Sequence, residues 1–171
     1  MWGKEIKWHA IYVTKGQEEK AKKALKETFK KKMKVIVPKR ELKERKSGKT
    51  RIVNRKLFPG YVIVNGEITE EAYYKIKKIP MLLNLLKGNE GPLEIEEREL
   101  AVLNILIKDE KIKISKAYKE NDKIKIVEGP LLGMEGRIES IDARKGRAKV
   151  SIDFLGTSKV VQLGIDVVEK I

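Results

Sequence analysis

Asp122-Lys-Ile-Lys-Ile-Val-Glu-Gly-Pro-Leu-Leu-Gly-Met-Glu-Gly-Arg-Ile-Glu-Ser-Ile-Asp-Ala-Arg-Lys-Gly146 is the stretch that decides the reading of this chain. Ile124, Ile126 and the pair Val127/Ile138 fall in short alternating runs, and a period of two is the signature of half-buried strand. Between those runs stand Gly129-Pro130, Gly133 and Gly136. A Gly-Pro followed by two more glycines predicts a tight, irregular crossover that residues with a Cβ follow only under strain. Downstream, Arg147-Ala-Lys-Val-Ser-Ile-Asp-Phe-Leu-Gly156, Val160–Leu163 and Val167–Ile171 add three more β-rich segments. The C-terminal part therefore reads as a small all-β unit.

Working outward, the pattern changes. Trp8–Thr14 reads as a strand closed by Lys15-Gly16. From Gln17 to Met33 the period becomes helical, with Ala21, Ala24, Leu25, Thr28, Phe29 and Met33 on one stripe and Lys20, Lys22, Lys23, Lys26, Lys30 and Lys31 off it. Val35–Val37 and Thr50–Val53 are short β-rich runs joined through a charged segment with a turn at Ser47-Gly48, which predicts a long hairpin with a mobile basic tip. Leu57–Val64 is a further strand, entered through Pro59-Gly60. Thr69 is placed to cap a second helix, with Glu70 and Glu71 in its first turn and Pro80 beyond its end. Met81–Leu86 reads as a short strand, and Glu96–Lys108 as a helix carrying Leu100, Leu103 and Ile107. Strands mixed with helices predict an α+β or α/β first domain rather than a sandwich, and with strands alone after it the chain as a whole is taken as α+β: a first domain over 1–108, a mobile charged joint over 109–119 and a second domain over 120–171.

Charge narrows the function. The formal net charge is +14, and residues 1–56 alone carry 20 Lys/Arg against 6 Asp/Glu. A Lys- and Glu-rich surface also suits heat adaptation, but that explains charges of both signs rather than their segregation. A basic first third fits a polyanion, because phosphate binding releases counterions. The chain has no Cys, so disulfides, thiolate metal sites and Cys nucleophiles are excluded. The sequence predicts no metal site, no cofactor and no catalysis. His9 is the only histidine and lies inside a strand, and no Gly-Lys-Ser/Thr phosphate loop occurs. The acidic run Glu94, Glu96, Glu97, Glu99 opens a helix, where carboxylates suit the dipole. No apolar run approaches a membrane span and the N-terminus has no apolar signal core, so a cytoplasmic monomer without membrane contact is the default expectation.

The Glu128-Gly-Pro…Gly133…Gly136 pattern resembles the KOW motif of small Tudor-like β-barrels. Trp8 in its strand, Gly16, the helix that follows and above all Phe58-Pro59-Gly60-Tyr61-Val62 resemble the NGN domain of the NusG family. The resemblance covers nearly the whole chain. It implies an NGN domain with an antiparallel sheet flanked by helices, then a linker, then a KOW barrel. It also implies docking on the clamp helices of the largest RNA polymerase subunit, with Trp8, Phe58, Pro59 and Tyr61 matching that surface. Plain core packing is the simpler account of these aromatics, and of the four Phe58 is the one expected at the interface.

Family KOW domains contact the ribosomal protein NusE or the termination factor Rho. The positions that match here are Leu131 and Leu132 in the first loop and Leu155 in the later one. Family loops commonly carry Phe where this chain has Leu131, and Phe-Gly-Arg-x-Thr-Pro-Val-Glu-Leu where it has Leu155–Leu163. Those departures, with the basic first third, resemble specialised paralogs of the LoaP type, which are recruited to particular operons through structured RNA. The matching nucleic-acid surface comprises Thr14, Lys15, Gln17, Lys20, Lys23, Tyr73, Tyr74, Lys75 and Lys78, extended by Arg40, Arg45, Arg51 and Arg55 of the hairpin. Lys and Arg would hold phosphates, Gln17 would read a base edge and an exposed Tyr would stack on a base. The competing readings are a housekeeping NusG factor and a ribosome-associated KOW protein that binds RNA without polymerase.

Overall fold

The computed structural model describes residues 7–82, 93–106 and 109–169. Leu83–Leu86 and Ile107, expected in a strand and a helix, lie outside the described residues. Two compact units emerge. One takes in the chain up to Pro38 together with Phe58–Leu100, the other Lys39–Leu57 together with the chain from Ala101 onward. The hairpin that interrupts the first unit in sequence therefore belongs to the second.

The first unit is a four-stranded sheet in which every pairing is antiparallel. Its order is β2 (Lys34–Ile36), β5 (Tyr61–Asn65), β1 (Trp8–Tyr12), β6 (Leu93–Glu94). Tyr61–Val64 are all buried, so both faces of β5 are covered and alternation is lost. On one face Ile11, Val13, Val35, Val62 and Val64 share a core with Ala21, Leu25 and Phe29 of α1 (Glu18–Phe29) and with Ala72 and Ile76 of α2 (Glu70–Lys77). Those α1 residues are the stripe read from the sequence. Thr69 caps α2 by accepting the Ala72 N–H at 3.0 Å. The expected helix after position 96 is α3 (Glu97–Leu106). Glu99 reaches back to the Glu96 N–H at 3.0 Å, a capping-box contact that accounts for one carboxylate of the acidic run.

The second unit begins with two eight-residue strands, β3 (Lys39–Lys46) and β4 (Lys49–Lys56). Their turn is the expected Ser47-Gly48, both at positive φ, +53° and +76°, which suits the right-handed twist of a two-residue hairpin. Regular pairing runs right up to that turn, from Lys39↔Lys56 to Lys46↔Lys49. The segment expected as a mobile joint also carries strand: β7 (Lys111–Ile112) pairs in parallel with β3, and β8 (Ser115–Glu120) belongs to the C-terminal sheet. Its outward lysines made it look like a linker. Its inward residues Ile112, Ser115 and Ala117 are buried and fix it in place.

β9 (Lys123–Glu128), β10 (Ile138–Asp142), β11 (Arg147–Phe154) and β12 (Thr157–Glu169) complete a five-stranded sheet in the order β10-β11-β12-β8-β9. Along β11 the inward positions are Ala148, Val150, Ile152 and Phe154, all fully buried. The long β12 pairs antiparallel with β11 up to Gly164 and in parallel with β8 from Ile165. The Gly-Pro crossover closes as expected: Gly129 has φ +105°, and the Leu131 N–H donates to the Ser115 hydroxyl at 3.0 Å. An α+β unit of NGN type and a KOW-like β unit are thus both present.

Candidate functional site

In the first unit, three backbone segments meet at the end of β1. Phe58-Pro59-Gly60-Tyr61 is a turn in which the Tyr61 N–H donates to the Phe58 carbonyl at 3.2 Å and Gly60 takes φ +89°. Proline followed by glycine suits such a turn because one presets φ and the other accepts its positive sign. Gly60 is then held twice. Its carbonyl accepts the Val13 N–H at 2.8 Å, and its N–H donates to the Glu18 carboxylate at 2.9 Å. Thr14 donates to the Met81 carbonyl at 3.0 Å, and Val13 bridges to Leu82, so the segment after α2 is tied to the same place. Gln17 donates to the Thr14 carbonyl at 2.9 Å and starts α1.

This knot decides which of the expected residues face solvent. Thr14, Lys15, Lys20 and Lys23 are exposed, and Gln17 is half-buried. Lys75 and Lys78 are exposed on and just beyond α2, with Lys75 paired to Glu71 at 3.3 Å one helical turn away. Tyr74 is 54% exposed, whereas Tyr73 packs against the core, its ring 6.1 Å from that of Tyr74 and edge-on to it. Tyr74 is accordingly the tyrosine of α2 whose face is open for stacking. The β1–α1 turn and the end of α2 come together through Thr14–Met81, whereas the hairpin arginines lie in the other unit. Arg40 is half-buried, with a guanidinium N–H on the Lys56 carbonyl at 2.6 Å. Burial, then the charges of Arg147 and Arg55, push its pKa down. Arg55 grips the Glu44 carboxylate, its Nε at 2.9 Å, and this bond holds the carboxyl below its usual range. Arg45, Arg51 and Arg55 are all exposed, and of these Arg55 is the one held by Glu44.

The aromatics expected at the polymerase surface separate in the same way. Trp8 is 1% and Phe58 4% exposed, so neither presents a ring to a partner in this structure. Phe58, the residue expected at the polymerase interface, has its ring folded inward by the turn, which leaves Pro59 outside. Tyr61 is also buried, stacked at 4.4 Å on Tyr12, which is 40% exposed. Burial, then its hydrogen bond with Tyr12, raises the Tyr61 pKa, keeping its hydroxyl protonated. Tyr12 was missed in the sequence. Its only signal was alternation, which puts it on the same face as Trp8 and Ala10. Glu18 was missed too, because an acid in a first helical turn normally points to water.

In the second unit, Leu131, expected to meet a partner, is 1% exposed and fills the core. Leu132 is 53% exposed and Leu155 half-buried, the latter in a two-residue turn with φ +54°. Among the described residues no group of three or more His, Asp or Glu is placed to hold a metal ion, and no helix is long and apolar enough to cross a membrane.

An antiparallel α+β unit whose Phe-Pro-Gly turn is locked to the first strand and helix, with a Gly-Pro five-stranded β unit, defines the NGN–KOW class of protein. The family model described as transcription termination factor nusG matches residues 6–104. The transcription termination/antitermination protein NusG of Haemophilus influenzae is 32% identical across 96% of this chain and 94% of its own length. The NusG protein of Thermus thermophilus is 30% identical across 96% and 98%. A solved structure of Thermotoga maritima NusG, described as showing domain interaction, matches with a TM-score of 0.56 and 27% identity over 93% of each chain. The chain belongs to the NusG family and is a NusG-type transcription factor.

Proposed function

We propose that this chain is an operon-specific elongation and antitermination factor that docks on RNA polymerase through its NGN unit and is recruited by structured RNA. The observation that carries this reading is the junction of the β1–α1 turn with the end of α2. Through the Thr14–Met81 bond and the Val13–Leu82 bridge, Thr14, Lys15 and Gln17 meet the segment that follows Lys78. Phosphate-holding lysines, a side-chain amide and one exposed ring, Tyr74, are the groups that read an RNA loop. The polymerase contact is assigned to Tyr12, stacked on Tyr61, with Pro59 close to Tyr61 in sequence. An aromatic that is rigidly backed and partly exposed suits an interface anchor better than a buried ring.

Reversing charge at Lys15 and Lys20 is expected to abolish binding to a structured leader RNA and leave affinity for core RNA polymerase unchanged. Tyr12→Ala is expected to do the opposite. Equal loss for every RNA sequence would reduce the lysine face to non-specific attraction. The full-length match to relatives named for termination and antitermination favours a second reading, a housekeeping factor. That reading prevails if polymerase binds but no hairpin does.

A further inference from the structure

Within the second unit the β3–β4 hairpin is seated on the C-terminal sheet. β3 pairs with β7, placing Lys39 opposite Lys111 and Arg40 opposite Ile112. The Glu41 carboxylate accepts the Ile114 N–H at 3.3 Å and holds Lys111 at 3.1 Å, and Lys43 reaches Asp166 at 3.2 Å. Gly164 lies so close to the Glu41 carbonyl oxygen and to the Ile114 side chain that a Cβ there would collide with both. Between the hairpin and the β10–β11 turn this seating leaves an open groove of about 960 Å³, lined by both elements.

The charge of the groove is lopsided. Its acids are engaged: Glu44 by Arg55, Asp166 by Lys43, and Asp142 by the Lys145 backbone N–H at 3.0 Å. Arg45 from the hairpin and Arg144, Lys145 and Lys149 from the sheet line the same groove, and among the described residues none of the four has a carboxylate within ion-pair distance. Arg147 directs its guanidinium at the neutral carbonyls of Lys145 and Gly146. Cations gathered in a concavity repel one another, and a bound anion relieves that repulsion. They come from two elements, the hairpin and the β10–β11 part of the sheet, which fits a repeating charge. No aromatic ring lines the groove, so it offers bases nothing to stack on.

We infer that this groove binds the sugar-phosphate backbone of a nucleic-acid strand, held jointly by the hairpin and the C-terminal sheet and with no reading of sequence. It uses residues other than the α1–α2 face and does not depend on that face binding RNA. The test uses the full chain and a short unstructured oligouridylate. In amide spectra of the labelled protein, resonances at residues 143–149 and 45–50 are expected to shift together. Arg144→Ala with Lys149→Ala should weaken binding about tenfold and flatten the slope of log affinity against log salt by about 1.4, since each single-strand phosphate left without its cation subtracts roughly 0.7. Gly164→Ala removes no charge but displaces the hairpin, so Arg45→Ala should cost affinity in the wild type and nothing further in that background.

The inference is overturned by unchanged affinity in the double variant, by shifts confined to the α1–α2 face, or by saturation of the groove amides by inorganic phosphate with no gain from the polymer. An oligoglutamate that competes as well as the oligonucleotide would also overturn it and assign the groove to an acidic protein segment instead.

Discussion

Glu18→Ala probes the knot on which the NGN surface is built. The carboxylate is 1% exposed and accepts the Gly60 N–H at 2.9 Å, while the Gly60 carbonyl is taken by Val13. Truncation leaves a buried peptide N–H without that acceptor. A hydrogen bond to a charged group contributes about 1.5–3 kcal/mol, and an orphaned buried donor costs about 1–3 kcal/mol, two views of overlapping free energy that should not be added. Losing an acid from the first helical turn removes a further 0.3–1 kcal/mol or so. Against these, alanine is the better helix former by at most about 0.7 kcal/mol, and the desolvation of a buried carboxylate is relieved. The balance is a loss of about 2 kcal/mol. Urea unfolding followed by tryptophan fluorescence measures it, since Trp8 is buried in the same unit. Hydrogen exchange at the Gly60 amide reports the bond itself. Glu18→Gln keeps an oxygen acceptor and loses only the charge, so it should recover about half of the stability. The reasoning is refuted if Glu18→Ala stays within about 0.5 kcal/mol of wild type and Gly60 remains protected.

Two further outcomes are expected from single sites. His9 is half-buried, and burial lowers its pKa below 6.5, opposed by Glu94 and reinforced by Lys7. Between that lowered pKa and 6.5 the unfolded chain binds more protons than the native one, so this contribution to stability is complete above pH 6.5 and is lost as pH falls through the window. In an NMR titration Glu94→Gln should move His9 lower still, and an upward movement would contradict the assignment of causes. Gly129→Ala places a Cβ 2.6 Å from the Ser115 Cα at φ +105°, and strain with overpacking should cost about 2–4 kcal/mol. Gly136→Ala, with nothing within 4 Å of its Cβ position, should be nearly silent. Equal thermal shifts for the two variants would remove the argument from close approach.

The sequence by itself determined whatever depends on neighbours along the chain. The helical stripe of α1, the cap at Thr69, the Ser47-Gly48 turn, the strict alternation of β11 and the Gly-Pro crossover were all legible, because period and turn chemistry are local. So was the segregation of charge. What only the tertiary structure decided were the directions of side chains at places where distant segments meet. Phe58 turns inward and Tyr12 is left partly outside, since the Pro59-Gly60 turn is fastened to Val13 and Glu18. Leu131 fills the core while Leu132, one residue on, faces solvent. Residues 111–119 looked like a linker because their outward lysines dominate composition, yet Ile112, Ser115 and Ala117 find buried places supplied by strands remote in sequence. The basic hairpin belongs with the C-terminal sheet for the same reason: Gly164 offers a backbone surface bare enough for Glu41 to approach, and nothing local in either stretch encodes that meeting.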